Sequence, residues 1–432
     1  MWSDVFWEKT RETLSADCEG TLDLMDRRLF FGSLVSAALS TLLTPKALWP
    51  LRPLGPISAR PTANVRDFGA RGDGQTDDTN AFRECIDSLR PNGGICFVPS
   101  GTYLIDPLHG VALIDHLTLK FAPGAVLKAS AVRASQSSVI IGRSVRNVAL
   151  LGGTVIGERN GHLGVGGEWG MGVDLRGCSD ARIEHVKVRE CWGDGIYIGF
   201  DAGRGCERIA IRNCICRRNR RQGLSITACV GAVVQDCDFS DTEGTAPEAG
   251  IDIEPDRNSV VRDVKIVNCT MLRNAGFGTT VVGSTVSAVS LSANRIESNR
   301  RGGILVLSAM GTAIESNIIQ NNGGPGIFVT SRASATTIVK NTIRGNGQSA
   351  QQRFDNVLID GGAKETVISG NDFRPDVSES DPARYDVRIN GPDCVGTKVM
   401  DNLFRPHRGQ TGGVDDHGSQ TQLLFSSPPS EL

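Results

Sequence analysis

The chain repeats itself at an interval of about 23 residues, and this repeat restricts the fold more than any other feature. Each unit contains a run in which apolar residues alternate with others, opened by glycine: GVDLRG (172–177), GIYIGF (195–200), GLSITA (223–228), GIDIEP (250–255), GTTVVG (278–283), GILVLS (303–308) and GIFVTS (326–331). Such a short unit cannot bury its apolar face alone, so successive units must stack on one another.

The alternation has the period of a β-strand, and no helical period runs through it. Leucine-rich repeats have units of similar length, but their Leu/Asn consensus is absent. The 51 glycines and the low aromatic content of 5% suit a chain with many tight turns. We therefore predict an all-β fold, a single-stranded parallel β-helix.

A second series follows the glycine runs, with spacings of 23, 23, 32, 25, 23, 24, 30 and 31 residues: Cys191, Cys214, Cys237, Cys269, Asn294, Asn317, Asn341, Asn371 and Asn402. An asparagine amide has both donors and an acceptor, so stacked amides can hydrogen-bond along the helix. We predict that the cysteines of this column are buried free thiols. They are not grouped as CxxC pairs, and no metal site is predicted.

The two ends differ from the repeats, and we divide the chain into 1–62, 63–404 and 405–432. Adjacent arginines, Arg27 and Arg28, precede an apolar run at 29–43 that is shorter than the roughly 20 residues of a membrane span. Residues 25–44 therefore resemble a twin-arginine export signal, a short buried helix being the alternative. A Pro-rich linker follows, and 405–432 is a polar, flexible tail. We expect an exported protein, periplasmic or extracellular, without stable membrane insertion.

Residues 64–105 (NVRDFGARGDGQTDDTNAFRECIDSLRPNGGICFVPSGTYLI) resemble the N-terminal segment of the pectate-lyase-like superfamily of parallel β-helix proteins. The resemblance extends to about residue 403 and implies a single-stranded right-handed parallel β-helix with an N-terminal capping helix, a fold that hydrolases, lyases, epimerases and binding proteins share. Thr76 or Asp77 can cap a helix that runs to about Leu89 and closes the end of the solenoid. Asp73, Asp77 and Asp78 are therefore assigned structural roles.

Outward-facing residues of the glycine runs should form columns, because alternate residues of a strand point to opposite faces. The first column is Asp174, Tyr197, Ser225, Asp252, Thr280, Leu305 and Phe328. The second is Arg176, Gly199, Thr227, Glu254, Val282, Leu307 and Thr330. Ionisable residues occur only between 172 and 254, where insertions at 158–170 and 241–249 should wall a groove about 14 Å wide.

Asp252 and Glu254 are the predicted catalytic pair. Two residues apart on a strand, their Cα atoms lie about 6.6 Å apart, which suits an inverting hydrolase; a solvated strand pair is the alternative. Asp194 precedes its strand where polygalacturonase-like hydrolases carry the first carboxylate of an NTDGI motif, or it holds a turn. The chain departs from that family next, with Arg221-Gln222 in place of Asp-Asp and Glu248-Ala249 in place of Gly-His.

The remaining candidates are predicted to bind substrate. Tyr197 offers a stacking surface, Arg221 and Arg176 offer contacts to an acidic sugar, and Asp174 lies at an outer subsite. Trp169 is a sugar platform or a core plug, and Glu168 is a reserve carboxylate. His162 is interpreted as incidental.

Three functions fit these residues. The first is a glycoside hydrolase that cleaves a polysaccharide with an Asp/Glu acid–base pair and no cofactor. The second is a polysaccharide lyase or uronate C5-epimerase, which needs a base such as Tyr197 or Arg221 and a neutralising Arg or Ca²⁺. The third is a non-catalytic polysaccharide-binding or surface protein. The net charge of −2 and the pI near 6.3 argue against nucleic acid as a partner.

Overall fold

A computed structural model describes residues 60–256, 259–375, 381–405 and 413–424 of the 432-residue chain. The predicted export signal at 25–44 and most of the linker lie outside these residues. Within them the chain winds through three parallel sheets, here called A, B and C, and every strand pairs with the equivalent strand of the neighbouring coil. The predicted parallel β-helix is therefore confirmed.

Sheets A, B and C contain 14, 11 and 12 strands. Sheet A consists of Thr62–Asn64, Gly94–Val98, Leu117–Phe121, Ala149–Leu151, Ser179–Glu184, Cys206–Arg212, Cys229–Gln235, Val261–Val267, Val286–Ser292, Ala313–Glu315, Thr337–Val339, Val367–Ser369, Lys398–Met400 and Gln422–Leu424. Sheet B consists of Asp73–Asp77, Gly101–Ile105, Ala125–Ala129, Thr154–Ile156, Lys187–Arg189, Ile215–Arg217, Asp238–Ser240, Thr270–Leu272, Arg295–Glu297, Ile318–Gln320 and Thr342–Arg344. Sheet C consists of Val111–Ala112, Gln136–Arg143, Trp169–Arg176, Ile196–Gly199, Leu224–Ile226, Ile251–Ile253, Phe277–Val282, Gly302–Leu307, Ile327–Thr330, Val357–Ile359, Val387–Ile389 and Val414–Asp416.

The glycine runs form sheet C in the predicted register. Asp174 pairs with Tyr197, Tyr197 with Ser225, Ser225 with Asp252, and Asp252 with Thr280. The intervening residues point inward and are fully buried, as at Ile196, Leu224 and Ile251. The polar column therefore crosses adjacent strands on the outer face of sheet C.

Two polar ladders, not one, run along the solenoid. The first joins the buried amides of Asn294, Asn317, Asn341 and Asn371 to Asn402, with each side-chain oxygen accepting from the preceding coil. The second contains Asn274, Asn299, Asn322 and Asn346, each five residues beyond the corresponding position of the first column, and it ends on Asn356. The sequence carries this second ladder as Asn pairs separated by four residues, which the single-column interpretation missed.

The cysteine column needs one correction. All eleven cysteines of the described part of the chain are buried and unbridged. The Cys214 amide donates to Cys237 Sγ, and the Cys269 amide donates to Asn294, as a shared column requires. The Cys191 amide instead donates to Asn219, so Cys191 lies at the second corner. Both corners are tight polar turns that recur at a similar spacing, so spacing alone does not tell which corner a cysteine occupies.

The N-terminal helix spans Thr79–Asp87, shorter than predicted, and begins after Asp78 rather than at Thr76 or Asp77. Its residues Phe82, Cys85 and Ile86 are buried in the core of the first coils. The nearby carboxylates accept hydrogen bonds from backbone amides. Asp73 accepts from the amides of residues 75 and 76, Asp77 from that of residue 79, and Asp78 from those of residues 71 and 72.

At the other end the solenoid continues past the boundary predicted at 404. Val414–Asp416 pairs with Val387–Ile389, and Gln422–Leu424 pairs with Lys398–Met400. Residues 413–424 therefore add strands to the helix, because a final edge can still recruit short polar segments that lack an alternating pattern. No helix in the described ranges has the length and apolar character needed to cross a membrane.

Candidate functional site

The two insertions both contact Arg220, which lies between them. The Arg220 guanidinium donates to the carbonyl of Gly167 in the first insertion over 2.9 Å. Its own carbonyl accepts from the Thr245 amide of the second insertion, also over 2.9 Å. The insertions thus adjoin on one edge of sheet C, as predicted, and Arg220 connects them.

A buried polar cluster anchors the first insertion. His162 Nδ1 lies 2.9 Å from a carboxylate oxygen of Glu158, and both side chains are at most 3% exposed. The His162 ring stacks on Trp192 at 3.8 Å, and Arg220 covers the same indole at 3.8 Å. His162 is therefore an anchor of the groove wall rather than an incidental loop residue. Nothing in a Gly-rich loop sequence indicates which polar residue folds inward.

Asp194, Arg221 and Glu168 form one ionic group at the start of the Ile196–Gly199 strand. Arg221 Nη1 lies 3.3 and 3.2 Å from the two oxygens of Asp194, and its Nε lies 3.4 Å from Glu168. Ser225 donates a further hydrogen bond to Asp194 over 2.8 Å. Asp194 is inaccessible, and its burial raises its pKa to about 6 despite the attraction of Arg221.

Asp252 is also buried, at 3% exposure, whereas Glu254 is exposed. One Asp252 oxygen accepts from Gln222 Nε2 over 3.0 Å, and the other accepts from the Thr280 hydroxyl. Burial first, and then the charge of Glu254, raises the pKa of Asp252 to about 7. Both oxygens of Asp252 are occupied by protein donors, which restricts its access to a glycosidic oxygen.

Tyr197 is the centre of a hydrogen-bonded chain that ends at an exposed carboxylate. Its hydroxyl donates to Asp256 over 2.8 Å and accepts from the Thr227 hydroxyl over 2.9 Å. The Arg176 guanidinium lies 4.6 Å from the ring centroid. Burial, followed by the charge of Asp256, raises the phenol pKa above its ordinary range, so Tyr197 holds its proton at neutral pH.

The other predicted binding residues occupy the same face. Asp174 is buried, bonded to Arg176 Nε over 2.8 Å, and lies one strand from Tyr197. Trp169 begins the strand Trp169–Arg176 and is 42% exposed, which suits a platform rather than a core plug.

Sequence reasoning missed Asp256, Gln222 and Arg143. Asp256 extends the alternation of Asp252 and Glu254 by one more step, which was a usable signal. The roles of Gln222 and Arg143 depend on contacts between coils, which spacing does not reveal. Across the described ranges, no three His, Cys, Asp or Glu side chains are arranged to hold a metal ion.

The raised pKa of Asp252 predicts a pH-dependent gain in stability for Asp252→Asn. The folded pKa of about 7 exceeds the model-compound value of 3.8, so the folded state binds the proton more tightly, and its stability falls as pH rises through this interval. An amide does not ionise. Relative to the parent protein, the variant should gain about 4 kcal/mol of unfolding free energy at pH 8 over its value at pH 4, because about three pKa units at roughly 1.4 kcal/mol each are lost from the parent over this interval.

Denaturant unfolding at both pH values measures this gain, and the pH 4 comparison controls for altered packing. An equal difference at the two pH values would show that Asp252 is ionised in the folded protein at little cost.

Comparison with known families connects this geometry to a protein class. The family described as "Right handed beta helix region" matches residues 165–315 and 286–373. Uncharacterized protein YclG of Bacillus subtilis is 29% identical over 336 residues, which span 68% of this chain and 57% of YclG. This chain thus spans little more than half the length of that curated relative.

Mannuronan C5-epimerase AlgE4 of Azotobacter vinelandii is 27% identical over 195 residues, 40% of this chain and 33% of AlgE4. Among solved structures, the A-module of Azotobacter vinelandii mannuronan C-5 epimerase AlgE6 superposes with a TM-score of 0.67 at 22% identity. That superposition covers 85% of this chain and all of the module, and it supports the fold.

Proposed function

Because this chain is a right-handed parallel β-helix that is similar to a mannuronan C5-epimerase module, we propose that it acts on an acidic polysaccharide by removing the proton at carbon 5 of a uronate unit. The product is then an epimerised unit or, if the glycosidic bond breaks, an unsaturated chain end. The observation that carries the proposal is the Tyr197–Asp256 hydrogen bond on the outer face of sheet C. The similarity to AlgE4 supports the same class of reaction.

Tyr197 moves the proton in this mechanism. Its pKa is too high for a free phenolate at neutral pH, but its hydroxyl already points its proton at Asp256. The phenol oxygen takes the carbon-5 proton while Asp256 accepts the phenolic proton, so no free phenolate is needed. The electron pair of the broken C–H bond moves into the uronate carboxylate. It then returns to carbon 5 and takes a proton from water on the opposite face, which gives the epimer, or it forms the C4–C5 double bond as the glycosidic oxygen at carbon 4 leaves and takes a proton from water. Arg176 above the ring stabilises charge that develops on the oxygen.

Arg221 neutralises the uronate carboxylate, which gains charge as the proton leaves. Asp194, three residues before Tyr197, and Glu168 hold its guanidinium near the start of the Ile196–Gly199 strand. The described carboxylates do not converge on a cation, and no step is assigned to Ca²⁺.

Hydrolysis by Asp252 and Glu254 is the second candidate. Its support is the Asp252 pKa of about 7, which Glu254 helps to raise and which suits a general acid. Burial does not separate the two candidates, since Tyr197 is 7% and Asp252 3% exposed. The protein donors on both oxygens of Asp252 weigh against its direct contact with substrate.

Incubation of the protein with polymannuronate, polygalacturonate and neutral glycans in D₂O tests the proposal. We expect deuterium at carbon 5 of a uronate, detected by NMR, with ultraviolet absorbance at new chain ends if elimination follows. New reducing ends with neither signal would favour the hydrolase. A protein that binds these glycans and changes none of them would favour the non-catalytic role.

A further inference from the structure

We propose that Arg143 and Arg176 form an anion subsite that binds the carboxylate of the sugar unit next to the reacting one. This inference rests on the proposed function and assigns a uronate polymer, rather than an isolated sugar, as its ligand. The two arginines are register partners on neighbouring strands of sheet C, about 4.8 Å apart.

Both guanidinium groups are held by one buried carboxylate. Arg143 Nη2 lies 2.5 Å from one oxygen of Asp174, and Arg176 Nε lies 2.8 Å from the other. Asp174 is 1% exposed, while the two arginine side chains are 38% and 32% exposed. Two positive charges thus share one negative charge that solvent does not reach. Asp256 offsets part of the remaining positive charge at Arg176, so this charge is greatest on the accessible side of Arg143, where an anion can meet it.

The orientation of Arg176 leaves its terminal amino groups for a ligand. Its bond to Asp174 uses Nε, and its Cζ lies 4.6 Å from the centroid of the Tyr197 ring. Such a fixed guanidinium loses little conformational freedom when it binds a carboxylate in a bidentate manner. The carboxylate of Asp256 also lies near Arg176 and accepts a hydrogen bond from the Tyr197 hydroxyl. It belongs to a coil four strands beyond that of Arg143.

The molecule has room for the polymer on the far side of Arg143. A cavity of about 420 Å³ adjoins this residue and is also lined by Arg90 and Asp115. Asp115 is paired with Arg146 at 3.3 Å, so its charge is compensated. An acidic chain can therefore continue from Tyr197 past Arg176 and Arg143 toward the N-terminal coils.

Calorimetric titration with an oligomannuronate hexasaccharide and a neutral mannohexaose tests the subsite. Arg143→Gln should weaken binding of the acidic hexasaccharide by about tenfold, the value of one hydrogen bond to a charged group, and leave any neutral binding unchanged. The matched control is Arg384→Gln. Arg384 also forms an ion pair with a buried carboxylate, that of Asp355; the two side chains are 32% and 1% exposed. This pair lies far along the solenoid from Arg143. The Arg384→Gln variant should bind like the parent protein.

Arg143→Lys controls for misfolding of the glutamine variant, because lysine keeps the positive charge and loses only the planar guanidinium. We expect its affinity for the acidic hexasaccharide to fall by about threefold. Equal affinities for Arg143→Gln and Arg384→Gln, or no parental binding of the acidic hexasaccharide, would overturn the subsite. Deuterium exchange measured on the same proteins separates the two proposals. Exchange without an Arg143 effect refutes only the subsite, whereas Arg143-dependent binding without exchange refutes only the reaction.

Discussion

Tyr197→Phe should lower the rate of deuterium exchange at carbon 5 by about 10²- to 10⁴-fold, the usual contribution of a positioned acid or base. The substitution removes one oxygen, which is both the proton acceptor and the donor to Asp256. The ring, and therefore its contact with Arg176, is retained, so binding of the polymer should change little.

Tyr385→Phe is the matched control, because Arg384 covers that ring at 5.4 Å while the residue lies far from the groove. Thermal unfolding of both variants checks that the fold is intact. Under the proposed reaction Glu254→Gln has a mild effect. If Glu254→Gln abolishes turnover and Tyr197→Phe retains most of it, the acid pair carries the chemistry and the enzyme is a hydrolase.

Asn317→Ala should destabilise the solenoid by about 3 kcal/mol, because it interrupts the first ladder at its centre. The Asn317 amide donates to the carbonyl of Leu291 and to Asn341 Oδ1, both over 2.9 Å. Its oxygen accepts both side-chain and backbone donors of Asn294. Removing the side chain leaves a buried N–H and a buried carbonyl without these partners, and each costs about 1–3 kcal/mol.

Asn402→Ala is the control at the end of the same ladder. Asn402 donates to Ile368 and accepts from Asn371, but it is partly exposed, so water can replace the lost bonds. We expect a loss of about 1 kcal/mol. Denaturant unfolding and amide hydrogen exchange around residue 294 measure both. Equal losses of unfolding free energy at the two sites would mean that an asparagine within the ladder stabilises the protein no more than one at its end.

The sequence by itself determined the solenoid and the register of its outer face. A strand alternates faces at every residue, and coils of nearly constant length place equivalent residues side by side. Asp174, Tyr197, Ser225 and Asp252 could therefore be assigned to one column from their spacing alone. The positions of Trp169 and Arg221 on this sheet also followed, because Trp169 begins one of its strands and Arg221 precedes another.

Only the tertiary structure decided which of these polar groups meet and which are accessible. Asp252 and Glu254 are equivalent in the alternation, yet one is buried between Gln222 and Thr280 and the other is exposed. Cys191 matched the cysteine column by spacing but lies at the other corner. Side-chain contacts between coils depend on rotamers and on loops from distant residues, such as Asp256 with Tyr197. Periodicity fixes backbone positions, whereas burial and pairing, and with them the pKa values, arise only when the whole chain is packed.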